Sequence, residues 1–193
     1  MGFSGTNRHW FIIGAEFPVG QCLAKLASEL ALPYTSRRLD SREQLSLAMG
    51  MSAAPLAIIA VSGEEAENAG HIAEWIDVLI EQDIPIVLLS SAKVFKYNEV
   101  GSLEEDEMTG DEGLIALENQ TRKQLRHLIV RVNQPFSFLS GDFAVQLLAQ
   151  ARSQDSLKMD NLIRIAPTPA DDIAQVLHAL LQQISCDENL WGT

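Results

Sequence analysis

The chain has 193 residues, 47% hydrophobic and 21% charged, with a formal net charge of −12. That length suits one domain, spanning 1–193, with a sizeable core, and the negative charge excludes nucleic acid and anionic membrane surfaces as general partners. No apolar run approaches the ~20 residues of a membrane span, and the opening MGFSGTNRHW lacks the apolar stretch of a signal peptide, so a cytoplasmic setting is expected.

Residues 1–8 are polar and read as a loose tail. HWFIIG (9–14) is a short apolar run ending in Gly, the pattern of a buried parallel strand. A helix opens near Pro18, a residue suited to a first turn, with Val19, Leu23, Leu26, Ala27 and Leu30 on one face. Tyr34–Leu39 reads as a second strand containing Arg37 and Arg38. Ser41 is placed to cap a helix over 42–50. PLAIIAV (55–61) is a third strand. Glu64–Gln82 is a long helix with Ala69, Ile72, Ala73, Ile76, Leu79 and Ile80 on one stripe, and Ile84–Ser90 is a fourth strand.

Residues 97–112 (YNEVGSLEEDEMTGDE) hold seven acidic residues and no basic one, and are long for a strand-to-helix loop. A helix is predicted from there to Arg126, then a fifth strand, His127–Val132. An irregular stretch covers 133–141, a helix 142–152, and a short extended piece Leu162–Ala166. A last helix is expected over Ala170–Ile184, and residues 186–193 read as a frayed tail. Cys22 and Cys186 form no disulfide framework. His9, His71, His127 and His178 show no metal-ligand spacing, so no metal is predicted.

Strands alternating with helices imply an α/β fold: a doubly wound, mainly parallel, Rossmann-like sheet with helices on both faces. Ligands in such folds sit beyond the carboxyl ends of the strands, which directs attention to the loops after residues 13, 38, 61, 90 and 132. The first loop, Gly14-Ala15-Glu16-Phe17-Pro18-Val19-Gly20, has the strand–glycine–helix form that holds a pyrophosphate on backbone amides. Gly14, Phe17, Val19 and Gly20 would line such a site, with Val61 at the end of the third strand. Arg37 and Arg38 stand where a basic residue meets the 2′-phosphate of NADP. However, Phe17 replaces the middle glycine, Pro18 removes a donor, and Glu16 adds negative charge. The turn serves either strand–helix packing alone or retained nucleotide binding; the cofactor is thus none or NADP.

Four further stretches sharpen this. Val87–Phe95 resembles the "ST-D-Y-VF" strand and turn of dTDP-4-dehydrorhamnose reductases, members of the extended short-chain dehydrogenase/reductase superfamily. Leu128-Ile129-Val130-Arg131 is similar to their next strand, "ILR". Arg164–Ala174 resembles their "GSPTYADDLA", and LDSREQL (39–45) resembles "LD-x-x-D-x-x-x-V". The likeness spans about 9–184 in the right order. It implies a reductase using a Tyr and a Lys four residues on, one helical turn apart on a shared face, where the Lys charge favours the phenolate for proton exchange.

The chain departs from that pattern. Its two tyrosines, Tyr34 and Tyr97, have Arg38 and Gly101 at i+4, so no Tyr-x-x-x-Lys exists. Alignment of the family's "YG-x-x-K" puts Glu112 at the Tyr and Ala116 at the Lys. Ser91 keeps the family's hydroxyl position, and Lys93 stands at a family tyrosine. Ser91, Lys93 and Glu112 are therefore vestigial catalytic candidates. The family chain continues well past "ADDLA", so the lobe that covers the sugar nucleotide is expected to be largely missing.

The resemblance thus implies a catalytically degenerate relative acting as a non-enzymatic binding or regulatory protein. Reductase-like folds of this kind serve elsewhere as regulatory subunits, such as the β subunit of methionine adenosyltransferase. The alternative is an NADP-dependent reductase of a nucleotide sugar or related carbonyl substrate with altered catalytic residues. The expected partners are another protein at the acidic loop, or a second copy through helices 64–82 and 111–126, with Trp75, Leu114 and Ile115 as contacts.

Overall fold

The computed structural model describes residues 8–40, 48–61, 66–96, 101–137, 143–154, 156 and 166–192. Five strands, β1 (His9–Ile13), β2 (Tyr34–Arg37), β3 (Pro55–Ile59), β4 (Ile86–Ser91) and β5 (His127–Val132), form one parallel sheet in the order β2-β1-β3-β4-β5. Three helices, α1 (Pro18–Glu29), α2 (Ala66–Glu81) and α3 (Glu112–Thr121), connect successive strands. Two further helices follow, α4 (Phe143–Ser153) and α5 (Ala170–Cys186). The expected doubly wound Rossmann-like sheet is present.

The apolar runs are continuous because both faces of the sheet are covered. Side chains alternate along β1. Trp10 and Ile12 join Leu23 and Ala27 of α1 and Ile173, Leu177 and Leu181 of α5 in one core layer. Phe11 and Ile13 join Ile72, Trp75, Ile76 and Leu79 of α2 and Leu117 of α3 in the other. The Trp75 ring is 1% exposed, and its indole N–H donates to the Leu39 carbonyl at 2.7 Å. Trp75 and Leu114 therefore belong to the protomer's interior and are not available as contacts to a second copy; only Ile115 of that trio is partly exposed.

Several boundaries differ from expectation. Leu30, assigned to the buried face of α1, is 45% exposed because the helix ends at Glu29 and the chain turns away. Helix α3 stops at Thr121 rather than Arg126: Lys123 and Gln124 donate to carbonyls three residues back, tightening the chain into turns. Within the irregular stretch after β5, β6 (Pro135–Phe136) pairs in parallel with β7 (Thr168–Pro169), two strands too short for any periodicity to signal. The predicted helix 42–50 is described only at 48–50, which is helical. Of the predicted extended piece, residues 162–165 lie outside the described residues.

The chain end is docked, not frayed. Asp187 caps a 3₁₀ turn over Glu188–Leu190, Arg8 reaches Glu188 at 2.8 Å, and the Gly192 amide donates to the His127 carbonyl at 2.8 Å. Trp191 packs against the α1/α5 core layer.

Candidate functional site

The strand order reverses between β1 and β3, and the crevice beyond their carboxyl ends is where such sheets take ligands. Gly14 closes β1 with φ +94°, a conformation that only glycine adopts without strain. Gly20, one turn into α1, lies over it. A Cβ there would fall 2.9 Å from the Gly14 carbonyl carbon and 3.2 Å from Ala15 Cα, so glycine is required for the helix to approach the strand.

Three of the turn's amides are bonded to the chain's own carbonyls. Gly14 and Ala15 both donate to the Arg37 carbonyl, at 3.0 and 2.9 Å, and Phe17 donates to Gly14 at 3.0 Å. The Phe17 ring lies on the α2 face of the sheet, packed among that core layer. It sits 3.3 Å from where a Gly14 side chain would begin, with Val61 at 3.4 Å. Gly14, Phe17 and Val61 thus meet at the switch point, and Val19 is buried behind them. Glu16 accepts from the Leu39 amide at 3.0 Å through Oε1, while its Oε2 is buried without a hydrogen-bond partner. Arg37 donates to its neighbour's carbonyl, Ser36, at 2.8 Å, and the exposed Arg38 lies 3.6 Å from Asp40.

At the ends of β4 and β5 the structure gathers a second group. Ser91 is buried, and its hydroxyl accepts from the Lys93 amide at 3.3 Å, capping the 3₁₀ turn Ala92–Val94. The Asp111 amide donates to the Lys93 carbonyl at 2.9 Å, and the Gly110 amide to Val94 at 2.8 Å, so the turn after β4 is tied to the start of α3. Asp111 caps that helix, its carboxylate accepting from the Leu114 amide at 2.9 Å. Ser91, Lys93 and Glu112 therefore share one neighbourhood. Lys93, Glu112 and Ala116 are all exposed.

Beneath them lies a cluster that sequence reasoning missed. Glu118 on α3 is fully buried. Its carboxylate accepts from Ser90 Oγ at 2.7 Å, from Arg131 Nε at 2.9 Å and Nη2 at 2.7 Å, and from Arg122 at 3.0 Å. Burial pushes the carboxyl upward, but the hydrogen bonds from Arg131 and Ser90, the Arg131 charge and the Arg122 bond outweigh it, so the group titrates below the ordinary range. Glu118 in turn raises Arg131. Arg131 also lies 4.9 Å over the Phe95 ring and contacts the Glu104 carbonyl and Met108 sulfur at 3.4 and 3.3 Å. The described part of the acidic loop, 101–111, is thereby held against the carboxyl end of the sheet, while Glu104, Glu105, Asp106 and Glu107 face solvent.

The family model for the RmlD substrate-binding domain matches residues 60–193, more than half the chain. The chain belongs to the RmlD substrate-binding family. Similar solved structures include a dTDP-4-dehydrorhamnose reductase from Clostridium acetobutylicum, at 15% identity over 91% of this chain and 70% of that one, with a TM-score of 0.77. A hypothetical dTDP-4-dehydrorhamnose reductase from Sulfolobus tokodaii is 18% identical over 91% and 72%, with a TM-score of 0.66. TunA, an NAD-dependent NDP-hexosamine 5,6-dehydratase of tunicamycin biosynthesis, is 14% identical over 90% and 72%, with a TM-score of 0.70. At these identities the likeness shows the fold. No curated protein matches the sequence.

Set in this RmlD-family frame, the groups at the two strand ends differ in character. Those at the switch point bond to one another and to the chain's own backbone. The Glu118–Arg131 pair is structural in its geometry: it holds β4, β5, α3 and the acidic loop together. Among the described residues, no three His, Cys, Asp or Glu side chains are grouped to hold a metal ion, and no helix is long and apolar enough to cross a membrane.

Proposed function

We propose that this RmlD-family chain is a non-catalytic, reductase-like protein that works by binding a protein partner with a basic surface. The observation that carries the reading is the pair Glu112 and Ala116, both exposed on α3 where the family's Tyr and Lys are expected. Neither can stand in for a phenol whose proton is loosened by an ammonium group. Support comes from the Phe17 ring at the switch point, and from Arg37 and Arg38, which are engaged with the Ser36 carbonyl and Asp40.

A hetero-partner is favoured over a second copy by charge. Helix α2 carries exposed Glu67, Glu74, Asp77 and Glu81 and no Lys or Arg, and α3 adds Glu112. A symmetric pairing of α2 and α3 across two copies would bring like charges together. A basic partner meets the same face, and the neighbouring residues 104–107, with complementary potential.

The reading is tested by titrating the protein with NADP and NADPH while following its melting temperature, and by partner capture. No shift at millimolar cofactor is expected, together with capture lost on charge reversal of residues 104–107. A shift abolished by Gly14→Trp, with turnover of a nucleotide sugar, would overturn it. That outcome would establish the second reading, an NADP-dependent reductase with altered residues. The observation favouring this second reading is the proximity of the Ser91–Lys93 turn to the start of α3.

A further inference from the structure

A separate cavity of about 390 Å³ opens at the opposite, amino-terminal edge of the sheet. Its floor is apolar and buried: Trp10 of β1, Leu56 of β3, and Leu181 and Ile184 of α5. A five-residue strand spans about 16 Å, so no small ligand at the switch point reaches it. Three aromatic rings line it. Trp10 and His178 pack edge to face with centroids 5.8 Å apart, and Trp191, brought back by the docked chain end, lines the other side.

Arg8 is the charged donor bordering this space, and the Trp191 ring lies beside it. The Trp191 indole N–H is buried without a hydrogen-bond partner, an uncommon state for a polar group. The Arg8 side chain is 13% exposed and lies 5.7 Å from the Trp191 ring centre. Among the described residues, one acceptor meets its five N–H donors: Glu188, whose own side chain is 70% exposed. The lining, among the described residues, holds no carboxylate. The end of α5 contributes an opposing field for an anion, which direct charged contacts from Arg8 outweigh.

We propose that this cavity is a binding site for a small aromatic carboxylate. The ring lies against Trp10, His178 and Trp191. The carboxylate accepts from Arg8. Glu188 competes with the ligand for Arg8 and so sets the affinity.

The test uses 2-naphthoate and its uncharged counterpart 2-naphthamide. The indole N–H resonances of Trp10, Trp75 and Trp191 are followed by NMR in the intact chain, with Trp191 assigned from Trp191→Phe. Naphthoate is expected to move the Trp191 resonance saturably, with naphthamide at least about tenfold weaker. Arg8→Gln is expected to weaken naphthoate about tenfold. Glu188→Gln is expected to tighten it several-fold, a gain that misfolding cannot produce. No movement of the Trp191 resonance at millimolar naphthoate overturns the proposal, leaving a cavity filled by water. Equal binding of naphthamide, or no tightening in Glu188→Gln, overturns it as well.

Discussion

Replacing Glu118 by Gln removes one charge at almost constant volume and asks what the buried carboxylate contributes. Glu118 is fully buried and accepts four hydrogen bonds, three of them from two guanidinium groups. Removing one partner of a buried ion pair costs about 3–5 kcal/mol. Gln keeps a carbonyl oxygen for Ser90 or Arg131, but its amide turns N–H groups toward the guanidinium donors. The side chains of Arg131 and Arg122 are 17% and 37% exposed, so part of their lost pairing is recovered from water. The expected loss is therefore about 2–4 kcal/mol, a large share of a typical 5–15 kcal/mol stability. For a chain of this size that is a melting-temperature drop of roughly 5–15 °C. Urea unfolding followed by circular dichroism gives the free energy directly. The pH dependence supplies a second, independent readout. The folded-state carboxyl titrates below the ordinary glutamate value of 4.5, so its contribution is complete above that pH and is lost as pH falls through the lowered value. The gap between wild type and Glu118→Gln should thus be full at pH 7 and close in acid. A gap under about 1 kcal/mol, or one that stays constant down to pH 3, refutes the reasoning.

Other perturbations probe the turn, the second core layer and the thiols. Gly20→Ala places a methyl inside the Gly14 carbonyl's van der Waals envelope and is expected to cost about 2–4 kcal/mol in urea unfolding, with the helix pushed off the strand. Trp75→Phe loses the 2.7 Å bond to the Leu39 carbonyl and leaves space beside Ile72 and Ile76; about 2–3 kcal/mol is expected by the same measurement. Burial, followed by a hydrogen bond and charge from Asp171, pushes the Cys22 thiol up to about 11, whereas Cys186 is exposed. At pH 8 a thiol reagent should therefore label Cys186 quickly and Cys22 only on unfolding. Because the Cys22 value is raised, its protonated thiol contributes fully below pH 9 and loses that contribution as pH rises towards 11.

The sheet was legible because its strands are buried on both faces: HWFII, PLAII and IVLLSS carry continuous apolar runs that need no alternation to be seen. The glycine turn was legible because Gly14 and Gly20 answer local backbone demands. Pairings between distant residues were not. The Glu118–Arg131 pair had a signal, since Glu118 shares a helical face with Leu114, Leu117 and Thr121, and Arg131 interrupts an apolar strand. Two misplaced charges of opposite sign suggest each other, but only the register of β5 beside β4 brings them to one end of the sheet. The docked end had a weaker hint in Trp191, an aromatic residue in a polar tail. What fixes it in place are backbone bonds and Arg8, which leave no periodic trace.

The two faces of α3 connect stability to the proposed function. Its exposed face carries Glu112 and Ala116, on which the proposed function rests, while its buried face carries Glu118, to which Arg131 and through it residues 101–111 are tied. If the acidic loop meets a basic partner, the ion pair sets how rigidly the loop is presented, because Arg131 contacts it through the Glu104 carbonyl and Met108. Glu118→Gln should then weaken partner capture at temperatures where the variant is still fully folded, while leaving every exposed carboxylate of residues 104–107 in place. Charge reversal in the loop should abolish capture with only a small drop in melting temperature, since the Glu104 hydrogen bond to Arg131 is made by its backbone and the side-chain interactions lost, the Glu104 charge near Arg131 and the Asp106 bond to the Leu103 amide, are exposed. Opposite patterns in these two variants separate presentation of the loop from its charge. Loss of capture and stability together in both would mean that the loop is part of the fold's support and not a surface for binding.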